Sequence, residues 1–357
     1  MVITGDLDRE LAASLAALAA EGQLPAAAAQ FTPGGTWRPA PGGPPAAFAT
    51  SLAFELARLD GRKPAEIAAV LARPLGALPW VEAAEPAGDG YLTITVASRA
   101  LAGSAARMAA AGVACANSTI LRGTAAAVRP WPDLSAARSW PEAWQDQADT
   151  MTGRLAQAAG ATVTITSEWE RAGLEPRPAR DKRSPVYAAV AYLGVSSVRY
   201  RLARTLPGNT AQLAELSEPR TRIEDPLYAV QQAHADTTSN LRWAADLQLE
   251  RPDLGERMAD LLTVPAELDL LGLLAWLPVR VAAAARRQRP HEVPRYLEQV
   301  SAAWLACKQA APALPFGGRA APDEPGLASA RLVLADAVRS VLAAGLVLTG
   351  ITATNRL

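Results

Sequence analysis

The chain has 357 residues, 50% of them hydrophobic, and its 35 basic and 35 acidic side chains give a net charge of zero. This length and composition allow two or three domains with buried cores. The balanced charge excludes a protein that wraps nucleic acid through a general positive field, but it leaves local basic patches open. The chain has only 2 cysteines and 2 histidines. These are too few for a disulfide framework or a zinc site, so we expect buried thiols at Cys115 and Cys307, no metal and no cofactor.

The N-terminal region predicts a helix and a linker. Charged residues stand between Met1 and Glu10, where a signal peptide would need an apolar core, and no segment reaches 18 uninterrupted apolar residues. We therefore expect a cytoplasmic protein without a membrane partner. The spacing of leucines predicts a helix over Asp8–Ala20, and the Pro- and Gly-rich stretch Phe31–Pro45 is typical of a linker.

The next region predicts two helices followed by a strand. The run Ala47–Ala57 is apolar at helical spacing, and Lys63–Ala68 has Pro64 where a helix begins. The β-branched and aromatic run Gly90–Val96 predicts a half-buried strand at the edge of a sheet.

The middle of the chain is rich in tryptophan and proline. We expect Trp131, Trp140 and Trp144 to cover a core, with a ligand-stacking platform as the alternative. The run Leu155–Thr166 predicts a helix that passes through Gly160 into a strand, as in a remnant of an α/β fold.

The segment Asp225–Asp236, with the sequence DPLYAVQQAHAD, resembles the helix that opens the anticodon-binding domain of arginyl-tRNA synthetases. The family pattern there is roughly N-P-x-Y-Y-V-Q-Y-A-H-A-R. This chain departs from it at Ala229, Gln232 and Asp236, where the family has Tyr, Tyr and Arg. At 100° per residue these three positions lie within about 60° of one another. The resemblance implies that this is the face that meets the anticodon loop.

The same resemblance extends to other parts of the chain. Similar motifs stand at Ala47–Ala57, Lys63–Ala68, Gly90–Val96, Gly194–Tyr200, Tyr296–Cys307 and Ala330–Gly350. It implies an N-terminal domain at residues 1–115, a shortened remnant of the catalytic core at 116–185, and a DALR-type helix bundle at 186–357. The predicted fold class is α+β and mostly α. The last helix is predicted to bury a stripe made of Leu332, Ala335, Val338, Leu342 and Leu346.

Two catalytic motifs of the family have no counterpart in the sequence. The family's adenylation core opens with H-x-G-H and closes with a KMSK-like loop, and the run Asp181–Ser184 is only a weak echo of the second. We expect His234 to be buried and hydrogen-bonded to the backbone, and His291 to lie in a loop. We therefore expect no catalytic residue and no enzymatic activity.

The candidate RNA-binding residues fall into three groups. By resemblance, Tyr91 and Thr93 would face the tRNA elbow, and the bland alternative is a pair of outward strand residues. Tyr228 and Gln232 lie on the helix that resembles the anticodon-binding one. An arginine cluster could contact phosphates or could be a solvated helix end; it comprises Arg280, Arg286, Arg287, Arg289 and Arg295.

These observations lead to one functional hypothesis with two alternatives. The first is a catalytically inactive arginyl-tRNA synthetase-like protein that binds tRNA, by resemblance tRNA-Arg, in an auxiliary or regulatory role. The second is a scaffold that no longer binds RNA and instead contacts a protein partner or itself. The third is a non-catalytic partner of a separate synthetase subunit.

Overall fold

The computed structural model describes residues 3–31, 36–40, 42–44, 46–165, 182, 184–209, 225–249, 257–314 and 326–355. The chain forms two compact units, each assembled from separate segments. Unit 1 comprises Met1–Ala110, Ala244–Val279 and Ala306–Ala337. Unit 2 comprises Ala111–Trp243, Arg280–Leu305 and Val338–Leu357. The division into three consecutive domains stays a prediction.

The N-terminal part of unit 1 combines helices with one antiparallel sheet. In chain order its elements are α1 (Ile3–Ala20), a short 3-10 helix (Ala26–Gln30), β1 (Arg38–Pro39), β2 (Ala47–Thr50), α2 (Leu52–Asp60), α3 (Pro64–Gly76), β3 (Val81–Ala87), β4 (Tyr91–Val96) and α4 (Ser98–Ala111). Helix α1 begins before the predicted Asp8, because Ile3 and Leu7 extend the buried apolar stripe toward the N-terminus.

The sheet has the strand order β1-β2-β4-β3, and all its pairs are antiparallel. The prediction that Gly90–Val96 forms a strand is confirmed, but β4 is an inner strand and not an edge, because β2 and β3 both pair with it. The prediction of a helix from Ala47 was wrong at its start. Residues 47–50 form the buried strand β2, in which Phe48 pairs with Ile94, so tertiary pairing overrides the weak strand preference of alanine.

Helix α3 confirms the predicted helix after Lys63, with Pro64 in its first turn. The inner face of the sheet is anchored by Phe48, whose ring stacks on Trp276 at a centroid distance of 4.2 Å. Both residues belong to unit 1, so a C-terminal segment of the chain completes the core beneath the N-terminal sheet.

Unit 2 contains a strand–helix–strand element. It consists of β5 (Ala125–Val128), a 3-10 turn (Leu134–Ala136), α5 (Trp140–Ala158) and β6 (Thr162–Ile165), and the two strands are parallel. Two parallel neighbours need such a crossover. The predicted passage from helix to strand through Gly160 is confirmed, since Gly160 has φ +93° and lies in the turn between them. Gly153 lets α5 approach β5 closely, because a Cβ there would lie 2.1 Å from the carbonyl oxygen of Ala127.

The Trp-rich segment packs into the core of unit 2, as predicted. Trp140 is buried, Trp144 packs against the same cluster, and the indole Nε1 of Trp144 donates to the carbonyl oxygen of Thr205 at 3.2 Å. The cluster combines residues of the 3-10 turn and α5 with residues of two further helices, α6 (Pro185–Leu193) and α7 (Val195–Arg204). Ser184 caps α6, since its Oγ accepts from the amide of Val186. Positions 181 and 183 of the weak KMSK echo lie outside the described residues.

Helix α7 holds the parts of unit 2 together through its polar side chains. The guanidinium of Arg199 donates to the carbonyl oxygens of Gly350 and Pro132, each at 2.9 Å. The hydroxyl of Tyr200 donates to the carbonyl oxygen of Pro294 at 3.1 Å. Arg204 forms an ion pair with Glu298 at 2.7 Å. Because these partners are distant in sequence, α7 fixes the end of the chain and a C-terminal helix in place.

The C-terminal half is helical. Its elements are α8 (Pro226–Asp246), α9 (Arg257–Leu261), α10 (Pro265–Leu274), α11 (Leu277–Arg286), α12 (Glu292–Ala310) and α13 (Leu327–Leu348). The predicted stripe of α13 is confirmed, since all five of its members are fully buried. The fold is mostly helical with a small sheet, which confirms the predicted α+β, mostly α class.

One stretch, Pro265–Arg286, is long and apolar enough to cross a membrane by length and composition, and 78% of its apolar 18-residue window is buried inside the protein. A helix that is apolar all round and covered by protein is typical of a core element. Glu267, in this stretch, forms a buried ion pair within unit 1. The Nε of Arg331 donates to a carboxylate oxygen of Glu267 at 2.6 Å.

Candidate nucleic-acid interface

The N-terminus of α8 is held by contacts of Asp225. The carboxylate of Asp225 accepts a hydrogen bond from the amide of Leu227 at 3.0 Å, which satisfies one of the free donors of the first turn. Its other oxygen lies 3.4 Å from the guanidinium of Arg201, a buried residue of α7. Pro226 occupies the first helical position, where its missing N–H costs nothing.

The inner face of α8 in unit 2 is buried and combines apolar residues with two polar ones. It is formed by residues at three- and four-residue steps, namely Leu227, Val230, Ala233, His234 and Thr237. The prediction for His234 is confirmed, because its Nδ1 lies 3.0 Å from the carbonyl oxygen of Thr354. This contact ties the C-terminal segment to α8. Burial lowers the pKa of His234 below its usual 6.5, so the ring is neutral at pH 7.

The face of α8 that departs from the family pattern is only partly open. Gln232 is exposed, whereas Tyr228 and Ala229 are half-buried. Asp236 is half-buried as well, and its carboxylate accepts a hydrogen bond of 2.9 Å from the indole Nε1 of Trp304 on α12. The departure at this position therefore has a structural partner inside unit 2.

Sequence reasoning missed Trp243, which lies two turns beyond Asp236 on the same side of α8. The side chain is 53% exposed. The signal was available, because a rotation of 100° per residue places position 243 between positions 232 and 236 in angle, away from the buried stripe.

The arginine cluster marks a helix end and a turn. Helix α11 ends in a C-terminal cap, in which Gln288 has φ +53° and the amide of Arg289 donates to the carbonyl oxygen of Ala284 at 2.9 Å. Arg286, Arg287 and Arg289 are exposed there, and Arg280 and Arg295 are half-buried. Positive charge is stabilising at a helix C-terminus because it opposes the macrodipole. The solvated helix end thus accounts for the cluster, and its phosphate contacts stay a prediction.

His291 follows this cap in a turn that leads into α12, as predicted. The imidazole is buried, and burial lowers its pKa below 6.5, helped by the positive charges of Arg295 and Arg289. Among the described residues its Nδ1 has no hydrogen-bond partner.

The predicted elbow residues lie on the outer face of the sheet in unit 1. Tyr91 is 37% exposed, and Thr93 lies two positions further on the same face of β4. The guanidinium of Arg38 lies 4.4 Å from the centroid of the Tyr91 ring, and Phe54 meets that ring edge-on at 5.1 Å. A cation and two aromatic rings together provide the groups on which a nucleic-acid base stacks. The role of both residues stays a prediction.

Both cysteine thiols are buried. Burial raises the pKa of both Cys115 and Cys307 to about 12, so these thiols are protonated and inert, as expected. Within the ranges that the structure describes, no group of three or more His, Cys, Asp or Glu side chains could hold a metal ion.

Comparison with known proteins identifies the C-terminal region. Residues 230–357 match the DALR anticodon binding domain. The chain is 38% identical over 165 residues to the arginine–tRNA ligase of Frankia alni, a match that covers 46% of this chain and 29% of the relative. It is also 38% identical over 172 residues to the ligase of Micrococcus luteus, covering 47% and 30%.

The matched part thus spans less than a third of the length of either relative. Among solved structures, the arginyl-tRNA synthetase of Thermus thermophilus aligns with 66% of this chain and 41% of its own, at 21% identity and a TM-score of 0.36, which is too low to establish a shared overall fold. The sequence matches are the informative finding. The chain is arginyl-tRNA synthetase-like, and its residues 230–357 match the DALR anticodon binding domain.

Proposed function

We propose that the protein is a non-catalytic, arginyl-tRNA synthetase-like module that binds tRNA in an auxiliary or regulatory role. The observation that carries this proposal is the match of residues 230–357 to an anticodon binding domain. It is supported by the helical C-terminal half, in which α8 keeps a covered inner face and an outer face with exposed polar groups.

The proposed lack of adenylation chemistry is supported by the position of the two histidines. Activation of an amino acid needs groups that stabilise charge as it develops on the α-phosphate. His234 and His291 are 57 positions apart in the sequence, so they cannot supply an H-x-G-H pair. Both are buried and neutral, and His234 is held by Thr354. A role in phosphate stabilisation therefore has no support from either ring.

The tRNA ligand is proposed through the domain and through local charge. The net charge of zero provides no general attraction for RNA, so binding would depend on local groups. The arginine cluster at the end of α11 and the stack of Arg38 on Tyr91 are two described places that combine exposure with positive charge. A cytoplasmic location and the identity of the tRNA, tRNA-Arg by resemblance, belong to the same proposal.

A paired measurement tests this function. The purified full chain is mixed with total tRNA in a gel-shift assay at low and moderate salt, and assayed separately for arginine-dependent ATP–pyrophosphate exchange. We expect a shifted tRNA band that weakens with salt, and no exchange. Absence of any shift at micromolar protein would refute tRNA binding, and measurable exchange would refute catalytic inactivity.

The alternative of a protein scaffold keeps one specific observation in its favour. Helix α6 consists of apolar residues only, and Tyr192 near its end is 74% exposed. Val195, three positions further, is 45% exposed, and neighbouring exposed apolar side chains are typical of contact surfaces. Under this alternative the same assay gives no tRNA shift, and sedimentation shows a stable oligomer. A non-catalytic partner of a separate synthetase subunit would instead show arginylation only when that subunit is added.

A further inference from the structure

Trp243 is unusual among the tryptophans of the chain. Trp37, Trp276 and Trp304 expose 5% of their surface or less, and Trp243 is the most exposed tryptophan in the described ranges, at 53%. An indole that folding leaves half in water contributes little to the core. A ligand that covers the exposed part of the ring would remove that apolar surface from water, which favours binding.

The neighbours of Trp243 on α8 are polar, and they include the cation of Arg242 and the exposed carboxylate of Asp246. Arg242 is exposed, and its guanidinium donates to the hydroxyl of Ser239 at 3.4 Å. Gln232 and Ser239 lie on the same side of the helix, three and one turns before the indole. An aromatic face, a cation and side chains able to pair with base edges therefore follow one another along one helix in unit 2.

This combination matches the chemistry of a nucleotide. A base stacks on an aromatic ring through its π-face whatever its identity, and a guanidinium pairs with phosphate. A base held in a duplex has both faces covered by its neighbours. The ligand that fits is therefore an unpaired nucleotide, as found in the loops and ends of a folded RNA.

We propose that Trp243 stacks on an unpaired base of RNA and that Arg242 contacts a phosphate next to that base. This rests on the proposed tRNA-binding function and adds to it a contact residue and a ligand class. An apolar protein partner is the less favoured occupant. Trp243 and Leu247, which follows in the turn after α8, are exposed apolar side chains, but the residues before them on this face are polar.

Substitution of Trp243 separates stacking from general charge attraction. Affinities of the full chain are measured for tRNA, for a single-stranded RNA, and for a fully paired duplex with the same number of phosphates. Trp243→Ala is expected to weaken binding of tRNA and single-stranded RNA by roughly 5- to 150-fold, and to leave duplex binding unchanged. Trp243→Phe keeps an aromatic face and should retain most of the affinity.

Three control variants accompany these measurements. Tyr192→Ala removes an exposed aromatic ring from another helix, and Leu247→Ala removes an exposed apolar side chain next to the proposed site without a π-face. Neither should change RNA affinity. Arg242→Gln should weaken all RNA binding modestly and lower the slope of log affinity against log salt by about 1. RNA should also quench tryptophan fluorescence less in Trp243→Phe than in the unchanged chain.

Each contrary result has a distinct meaning. If the unchanged chain binds tRNA and Trp243→Ala binds it equally well, the stacking proposal is wrong and the proposed function stands. If the unchanged chain binds no RNA, both are wrong. If Trp243→Ala and Leu247→Ala alter the sedimentation of the protein to the same extent and leave RNA affinity unaltered, the surface is a protein contact and the stacking proposal is wrong.

Discussion

The carboxylate of Asp236 on α8 accepts a 2.9 Å hydrogen bond from the indole Nε1 of Trp304 on α12. Trp304 is 5% exposed, so its N–H has little access to water and depends on a protein acceptor. The acidic residue that departs from the synthetase pattern therefore joins two helices of unit 2. The carboxylate of Asp236 thus has a partner inside the protein.

We expect Asp236→Ala to lower the free energy of unfolding by about 1–3 kcal/mol, because it leaves the indole N–H of Trp304 without its acceptor. Urea denaturation measures this change. Asp236→Asn retains a side-chain oxygen and serves as the control, with a smaller loss. Equal stability of Asp236→Ala and the unchanged protein would show that the contact contributes nothing.

The sequence anticipated those parts of the fold that depend on local pattern. The buried stripe of α13, the start of α3 at Pro64 and the turn at Gly160 all follow from spacing and residue type. The strand at Ala47–Thr50 did not, because alanine-rich residues become a strand only when β4 pairs with them. Contacts between distant positions, such as Asp236 with Trp304, leave no local signal in the sequence.

The candidate site was anticipated in part. The inner face of α8 and the burial of His234 followed from helical spacing and from the family pattern. The arginine cluster was found by composition, but its cap geometry at Gln288 was not, since an αL conformation is uncommon for a residue other than glycine. Trp243 could have been found by extending the same helical rotation by two turns.

Glu267 and Arg331 provide a test of the buried ion pair in unit 1. The Glu267 side chain is fully buried, and it also accepts from the amide of Val264 at 3.0 Å. We expect Glu267→Gln to lower the free energy of unfolding by about 3 kcal/mol, because the half-buried guanidinium loses its counter-charge. Thermal and urea unfolding measure the change. Asp269→Asn, an exposed position on the same helix, should change it by less than about 0.5 kcal/mol.

The contact between Gly350 and Trp131 can be separated from backbone strain. Gly350 has φ +80°, and a Cβ there would lie 2.7 Å from the indole ring of Trp131. Gly208 has φ +75° and nothing within 4 Å of such a Cβ. Both Gly→Ala variants incur the cost of a positive φ, but Gly350→Ala also overpacks. We expect the free energy of unfolding of Gly350→Ala, measured in urea, to be about 1–3 kcal/mol lower than that of Gly208→Ala. Equal losses would disprove the close packing.

Buried histidines predict how stability depends on pH. Burial lowers the pKa of His234 and His291 in the folded protein below the 6.5 expected when unfolded. The unfolded chain therefore binds more protons in this range, and the free energy of unfolding should fall as the pH decreases below about 6.5. His234→Gln and His291→Gln should each flatten the profile between about pH 7 and pH 5.5. A profile unchanged in both variants would exclude the histidines as its cause.

The salt dependence of tRNA affinity is the most direct test of whether the protein binds tRNA. Filter retention of labelled tRNA by the full chain is measured over a series of salt concentrations. We expect the full chain to retain tRNA at micromolar or lower protein concentration in low salt. Retention should decrease steadily as salt rises, because local arginines displace counterions from the phosphates. A protein that retains no tRNA at micromolar concentration in low salt would contradict it.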